Sequence, residues 1–330
     1  MLAMFLLPAA LAATDLPGPA DLREDLVAAL DTRRGLLRDR SDQRNLLSET
    51  HTLLMELDLA LGDAEAFAED VALLERYFLA DNGLLRWRLG RPDRGFCTDA
   101  TVDDLRAVRV LLAAADRWND PALRALGERI GAAVVAHASR DGVLVDAASW
   151  PCGRRAPPSD PVPGTYLTLS FADTCALVPL IPRCGGAWDV HVLTSPIVYA
   201  GLLDPAGPRS GHDLTTGAYD LREDNPINRE LLRLHMLGGC HNAAWQAPVC
   251  TQQDDAWRTS ESVAHIALAA RRLAHCDHTA ESEQAIAHMG TFLLEDGPWA
   301  GLFGYEIDGD TIIWAFDNLQ AGLALAERVR

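Results

Sequence analysis

Asn45-Leu46-Leu47-Ser48-Glu49-Thr50-His51-Thr52-Leu53-Leu54-Met55 reads as the middle of an amphipathic helix, because Leu46, Leu53 and Leu57 recur at helical spacing. Glu49 falls on the same face. A carboxylate there is either paired or shifted toward its neutral form, since burial disfavours the charge. Outward from this stretch the same pattern repeats. Helices are predicted near 20–32, 42–61 and 63–80, the third carrying Phe67, Val71, Leu74 and Phe78 at helical spacing. That helix is expected to stop at Asp81-Asn82-Gly83, where glycine takes the left-handed conformation, and Leu84 to Leu89 returns as an extended piece. Helices near 99–119 and 120–138 then run into Asp141-Gly142 and the short return Val143-Leu144-Val145. Helices near 225–239, 255–275 and 279–296 lead into Gly301-Leu302-Phe303-Gly304-Tyr305, and a last helix spans 314–328.

The unit is therefore helix, helix, glycine stop and short extended return. No run of Val/Ile-rich strands alternates with the helices, which argues against a parallel α/β sheet. About eleven or twelve helices in such pairs predict an all-α fold, an (α/α)6 toroid of helical hairpins. A helical solenoid is the competing architecture and would carry a tighter sequence repeat. The Pro- and Arg-rich piece Pro151 to Pro163 reads as a long functional loop rather than a linker, so 14–330 is expected to form one domain.

The 330 residues are 48% hydrophobic, enough for a sizeable core, and 47 Asp+Glu against 29 Lys+Arg give a net charge of −18. That balance excludes nucleic acid and anionic membranes as expected partners and disfavours a strongly anionic polymer. Met1 to Ala13 is a short apolar run ending in small residues, the form of a secretory leader, although it lacks a basic n-region. Export to the periplasm or the exterior is the expectation. No other stretch approaches the ~18 apolar residues of a membrane span, so no stable membrane insertion is expected after leader removal, and the chain is expected to be a monomer. Of seven cysteines, Cys240 with Cys250 and Cys175 with Cys184 are the candidate short-range disulfides in an oxidising compartment. No Cys/His/Asp cluster has metal-ligand spacing, so neither a metal nor another cofactor is expected.

Three stretches can carry chemistry. Glu49, buried on a helix face, has the character of a carboxylic acid held protonated to donate to a leaving-group oxygen. Its structural alternative is an ion-paired Glu. In Cys97-Thr98-Asp99-Ala100-Thr101-Val102-Asp103-Asp104-Leu105-Arg106, Thr98, Asp99 or Thr101 can cap a helix, and Thr101-x-x-Asp104 fits a capping box. The same geometry holds Asp103 and Asp104 at a helix N-terminus, where Asp104 could accept hydrogen bonds from sugar hydroxyls. In Gly211-His212-Asp213-Leu214-Thr215-Thr216-Gly217-Ala218-Tyr219-Asp220-Leu221-Arg222, Asp220 could activate water, with Tyr219 and Arg222 orienting it and keeping it ionised. An ordinary Asp/Gly-rich turn is the alternative there.

Taken together, the three stretches resemble glycoside hydrolase family 8, the inverting endoglycanases, and within it a divergent branch tied to bacterial exopolysaccharides. Ser48-Glu49 looks like the family's Ser-Glu, whose Glu is the general acid. Ala100-Thr101-Val102-Asp103-Asp104-Leu105 is similar to its Ala-Ser/Thr-x-x-Asp-Leu segment, whose Asp holds the sugar at the cleavage subsite. Tyr219-Asp220 looks like its Tyr-Asp, whose Asp is the general base in many members. Trp314-Ala315-Phe316-Asp317-Asn318 is similar to the segment that opens its last helix. The resemblance covers roughly 40–325. It departs where Thr50-His51-Thr52-Leu53 replaces the cellulases' glycine-rich run, where Val102 replaces an Asp, and where Arg222 follows Asp220 by two residues rather than three. Those departures count against cellulose as substrate.

The resemblance implies an endo-acting, inverting hydrolase with a polysaccharide substrate, whose two carboxyls stand ~6.5–9.5 Å apart to admit water. Trp87, Trp150, Tyr166, Trp188, Trp257 and Tyr305 are candidate sugar-stacking platforms. Two alternatives stand: another (α/α)6 enzyme such as a polysaccharide lyase, and a non-catalytic toroid that binds or exports an exopolysaccharide.

Overall fold

The structure, a computed structural model, describes residues 16–90, 95–152, 159–238, 248–251 and 254–328. Its α-helices are α1 (Pro19–Leu30), α2 (Ser48–Leu61), α3 (Ala64–Leu73), α4 (Thr101–Trp118), α5 (Pro121–His137), α6 (Ala187–Leu202), α7 (Pro226–Leu237), α8 (Val263–His275), α9 (Thr279–Met289) and α10 (Ala315–Arg328). They form the expected (α/α)6 toroid. α2 packs between α4 and α10, α10 packs on α8, and α8 packs on α7. The ring closes from α7 to α4 through the short 3-10 segments Leu169–Phe171 and Thr174–Leu180. Outside this ring lie α3 against α2, α5 against α4, α6 against Thr174–Leu180, and α9 against α8. α1 covers α10, so the beginning and the end of the described chain make one hairpin layer.

Burial separates the two layers. From Thr50 to Asp58 every residue of α2 is buried, as an inner helix requires, whereas outer helices keep a polar face. Met55 belongs to the apolar cluster of α3–α6, and Leu53, Leu54 and Leu57 belong to the cluster of α1 and α8–α10. α2 is the element common to both cores.

Several sequence expectations shift in detail. Leu46 is not in the helix: Leu46–Leu47 pair with Arg88–Leu89 as antiparallel strands, and α2 starts at Ser48. The predicted helix 255–275 divides into a 3-10 turn, Ala256–Thr259, and α8, whose start is capped by Ser262 accepting from the His265 amide at 3.3 Å. α3 gives way to a π-helical turn, Leu74–Phe78, before Gly83 (φ +89°) makes the turn back. The Thr101-x-x-Asp104 capping box does not form. Ala100 occupies the cap position with no side-chain cap, and Asp104 is bonded elsewhere. α6 was not anticipated: it carries Pro196 inside, and its apolar residues surround the axis instead of forming a stripe.

The Pro151–Pro163 piece joins two paired strands. Ala148 pairs with Pro163 and Ser149 with Val162, and residues 153–158 lie outside the described residues. Both disulfide expectations are overturned. Cys97 bonds Cys152, stapling the Phe96–Thr98 strand to this strand pair, and Cys250 bonds Cys276. Cys175 is disulfide-bonded, but Cys184 is a buried free thiol, and Cys240 lies outside the described residues. The leader 1–13 also lies outside them. No helix among the described residues is long and apolar enough to cross a membrane.

Candidate active site

The short strands bring loop residues onto the N-terminal ends of the inner helices. The Ser48 amide donates to the Trp87 carbonyl at 2.9 Å, fixing where α2 begins. The Ser48 hydroxyl donates to Asp103 Oδ2 on α4 at 2.6 Å. The other Asp103 oxygen accepts from the Arg106 guanidinium at 3.1 Å. Glu49, one residue on, lines a cleft of about 550 Å³. Its carboxyl has no hydrogen-bond partner among the described residues. Burial, the Asp103 charge and the Asp39 charge push its pKa up to about 7, with Arg106 opposing them. Glu49 is thus a carboxyl that keeps a substantial protonated fraction near neutrality and faces the cleft.

The rest of the cleft wall is mostly apolar and aromatic: Phe171, Ile227, Leu231, Tyr305, Trp314 and Phe316. Asp317, in the first turn of α10, also reaches it. One Asp317 oxygen accepts from the Ala264 amide at 2.9 Å and the other from the Tyr305 hydroxyl at 3.0 Å, while burial raises its pKa to about 6. Tyr305 accepts in turn from the Val263 amide at 2.8 Å, so this pair pins α8 against α10. Asn318, beside it, is consumed by the Phe303 amide and carbonyl, each at 2.9 Å.

Asp220 ends a three-stranded sheet in which Gly211 is the central strand's residue opposite both Asp220 and Thr168. The Tyr166 hydroxyl and the Arg222 amide (3.0 Å) both donate to Asp220 Oδ1. The Arg222 guanidinium lies 3.7 Å from Oδ2 and 4.1 Å over the Tyr166 ring. Burial opposes the charge, but these donors outweigh it and hold the Asp220 pKa below the usual carboxylate range. The cleft lining does not include Asp220, Tyr219 or Arg222. The Asp220 group stands seven residues before Ile227, on the segment that enters α7 at the cleft wall.

Several predicted site residues have other work. Asp104 is fully buried and accepts from the Leu85 amide at 2.8 Å, so it holds the return strand instead of meeting a ligand. Tyr219 points to the face opposite Asp220, as alternation in a strand requires, donating to the Ile197 carbonyl at 2.9 Å and packing on His212. Trp150 and Trp257 are core residues, 6% and 2% exposed. Trp188 is exposed on the outer helix α6. Trp87 is exposed beside the start of α2 with Arg88 over its ring, and Tyr166 has Arg222 over its own. The sequence reading missed Trp314, Phe316 and Phe171 as cleft aromatics, and it missed Asp39 and the Ser48–Asp103–Arg106 chain. Asp103 and Arg106 differ by three, the spacing of a same-face helix pair, and that was the available signal.

No family model matches the sequence. The putative lipoprotein YdaJ of Bacillus subtilis is 31% identical over 114 residues, which is 34% of this chain and 31% of that protein. The chain thus matches about a third of that relative's length. Solved structures match nearly throughout. A protein described as a novel alpha-amylase from Clostridium perfringens superposes with a TM-score of 0.77 at 19% identity, covering 93% of this chain and 96% of its own. PssZ from Listeria monocytogenes gives 0.68 at 16% identity, covering 94% and 95%. The endoglucanase Cel10 from Klebsiella pneumoniae, a family 8 glycosyl hydrolase, gives 0.59 at 16% identity, covering 93% and 98%. This chain has the family 8 glycoside hydrolase fold.

Proposed function

We propose that this chain is an exported glycoside hydrolase of the family 8 type that cleaves a neutral polysaccharide of bacterial exopolysaccharide or β-glucan-like character by an inverting route. The observation that carries the reading is Glu49: a carboxyl raised to about 7, with no hydrogen-bond partner among the described residues, at the head of an inner helix on an aromatic cleft. In this reading Glu49 gives its proton to the glycosidic oxygen as that bond breaks. Asp220, kept ionised by Tyr166 and Arg222, takes a proton from the water that attacks the anomeric carbon from the opposite ring face. Asp103, fixed by Ser48 and Arg106, replaces Asp104 as the carboxylate of α4 that serves the site. Trp314, Phe316 and Tyr305 offer apolar surfaces for pyranose rings.

A lyase acting on uronates needs a cation free to neutralise the substrate carboxylate. Among the described residues, the cation lining the cleft is Arg106, and it is engaged by Asp103 and Thr52. The disulfides fit an oxidising compartment and so support export. The test is reducing-end release from a panel of neutral and amino-sugar polysaccharides by wild type and Glu49→Gln. Turnover that disappears in a folded Glu49→Gln variant supports the reading, and equal turnover in both removes Glu49 from the chemistry. Binding without turnover by wild type favours the non-catalytic toroid.

A further inference from the structure

Beneath the cleft, a chain of ion pairs runs along the axis of the ring. From Asp103 it passes to Arg106 at 3.1 Å, to Glu56 at 3.9 Å, to Arg109 at 3.1 Å and to Asp173 at 3.0 Å. A branch leaves Glu56 for Arg271 at 3.5 Å and Glu327 at 2.9 Å. Glu49 and Glu56 are seven residues apart on α2, two helical turns, so the ladder stands directly below the acid. Arg106 is the rung that lines both the cleft and a second cavity of about 320 Å³ on the far side. It is 4% exposed, and it also donates to the Thr52 hydroxyl of α2 at 3.3 Å.

We propose that Arg106 is a positioning residue of the site: it clamps Asp103 beside Glu49 and anchors that carboxylate, through Glu56, to the ion-pair ladder of the inner ring. Its geometry supports this role. Asp103 has one oxygen on Ser48 and the other on Arg106, so removing either leaves the carboxylate free to rotate away from Glu49. Thr52 and Glu56 hold the guanidinium from α2, the helix that bears Glu49, so the clamp spans both helices. Arg106 also supplies the positive charge that opposes the acids around Glu49. Those are Asp103 on α4, Asp39 ahead of α2, and Glu261 and Asp317 elsewhere on the cleft wall.

This inference rests on Glu49 being the site's acid, but its first readout needs no turnover. The Glu49 carboxyl is titrated by carbon-13 NMR in the full chain, with Glu49→Gln assigning the resonance. Arg106→Gln is expected to raise the midpoint by about one pH unit or more, because an attracting charge is lost. Glu56→Gln is expected to lower it, because the charge of Arg106 is then less neutralised. Arg106→Lys keeps the charge and should restore the midpoint, yet it cannot hold Asp103, Thr52 and Glu56 together. On a cleaved substrate it should therefore lose about 10–100-fold in kcat with little change in KM. A Glu49 midpoint unmoved in folded Arg106→Gln, shifts of the same sign in Arg106→Gln and Glu56→Gln, or wild-type kcat in Arg106→Lys would each overturn the proposal. Absence of hydrolysis by wild type would sink the glycosidase reading, while the titration still decides the role of Arg106.

Discussion

The Tyr166 hydroxyl reaches across Gly211 to donate to the Asp220 carboxylate. A methyl group on Gly211 would overlap that hydroxyl and lie 2.7 Å from Asp220 Oδ1, so only glycine leaves room for the bond. Asp220 must be ionised to act as a base, and the Tyr166 bond favours the ionised form. Tyr166→Phe is therefore expected to raise its pKa and move the acidic limb of the pH–rate profile upward by about one unit. Gly211→Ala should do the same and also cost about 10²-fold in kcat, by displacing the carboxylate. Steady-state kinetics across pH 3–8 (roughly, the range that spans carboxylate titration) checks both.

In the proposed mechanism the alkaline limb is that of Glu49. Its proton is lost as pH rises through about 7, so activity should fall there. The Asp103 charge is one cause of that high value, and removing it makes Glu49 a stronger acid. Asp103→Asn is expected to move the alkaline limb to lower pH, whereas loss of an unrelated structural contact would leave the limb in place. The pH dependence of kcat in the two proteins distinguishes these outcomes.

The ring was legible because inner helices must be apolar on several sides and because the outer helices α3 and α5 run on into glycine turns. The stretch 45–55, Gly83 and Asp141-Gly142 carry that information locally. Segment 169–180 was not legible as an inner element, because an inner position filled by 3-10 turns has no 3.6-residue period to detect. At the candidate site, Glu49 was singled out from residue type and local motif and lines the cleft, whereas Asp220, singled out in the same way, lies on the segment leading into the cleft wall. Asp103 and Asp104 could not be told apart, since adjacent residues on a helix point about 100° from one another and only packing against Leu85 and Ser48 separates their roles. The disulfides failed for a similar reason: short separation favoured Cys175 with Cys184, but pairing follows spatial proximity, and Cys97 meets Cys152 across a strand pair.

That distinction between neighbours is testable. Burial and the nearby Asp99 charge raise the Asp104 pKa well above the usual carboxylate range, which favours its neutral form. Asp104→Asn keeps an oxygen for the Leu85 amide and should leave kcat/KM within about twofold. Asp104→Ala removes that acceptor and should cost about 1–3 kcal/mol in chemical denaturation, with kinetics of the folded fraction unchanged.

Asp70 should make stability depend on pH in a separate place. Burial and its contact with Asp58, which Arg23 also engages, raise the Asp70 pKa to about 9. A carboxyl whose folded pKa lies above its unfolded value stabilises fully below the unfolded value and loses that contribution as pH rises toward the folded one. Thermal stability should therefore decline between pH ~4 and ~9. Asp70→Asn should flatten this slope and raise Tm at pH 8 (roughly, where wild type is most penalised). A Tm profile unchanged by the substitution would rule out Asp70 as the source.

The aromatic residues divide between platform and core, and the two classes should fail differently. Trp314 lines the cleft with Arg40 over its ring at 4.3 Å, and Phe316 lies two residues on. Alanine at either should raise KM about tenfold, as a lost stacking surface would, with Tm little changed. Trp150 and Trp257 are buried, and alanine there leaves a cavity costing about 3–5 kcal/mol. Kinetics paired with denaturation separates the classes. A rise in KM for Trp150→Ala at full stability would return that residue to the binding surface and remove Trp314's claim to be the nearer platform.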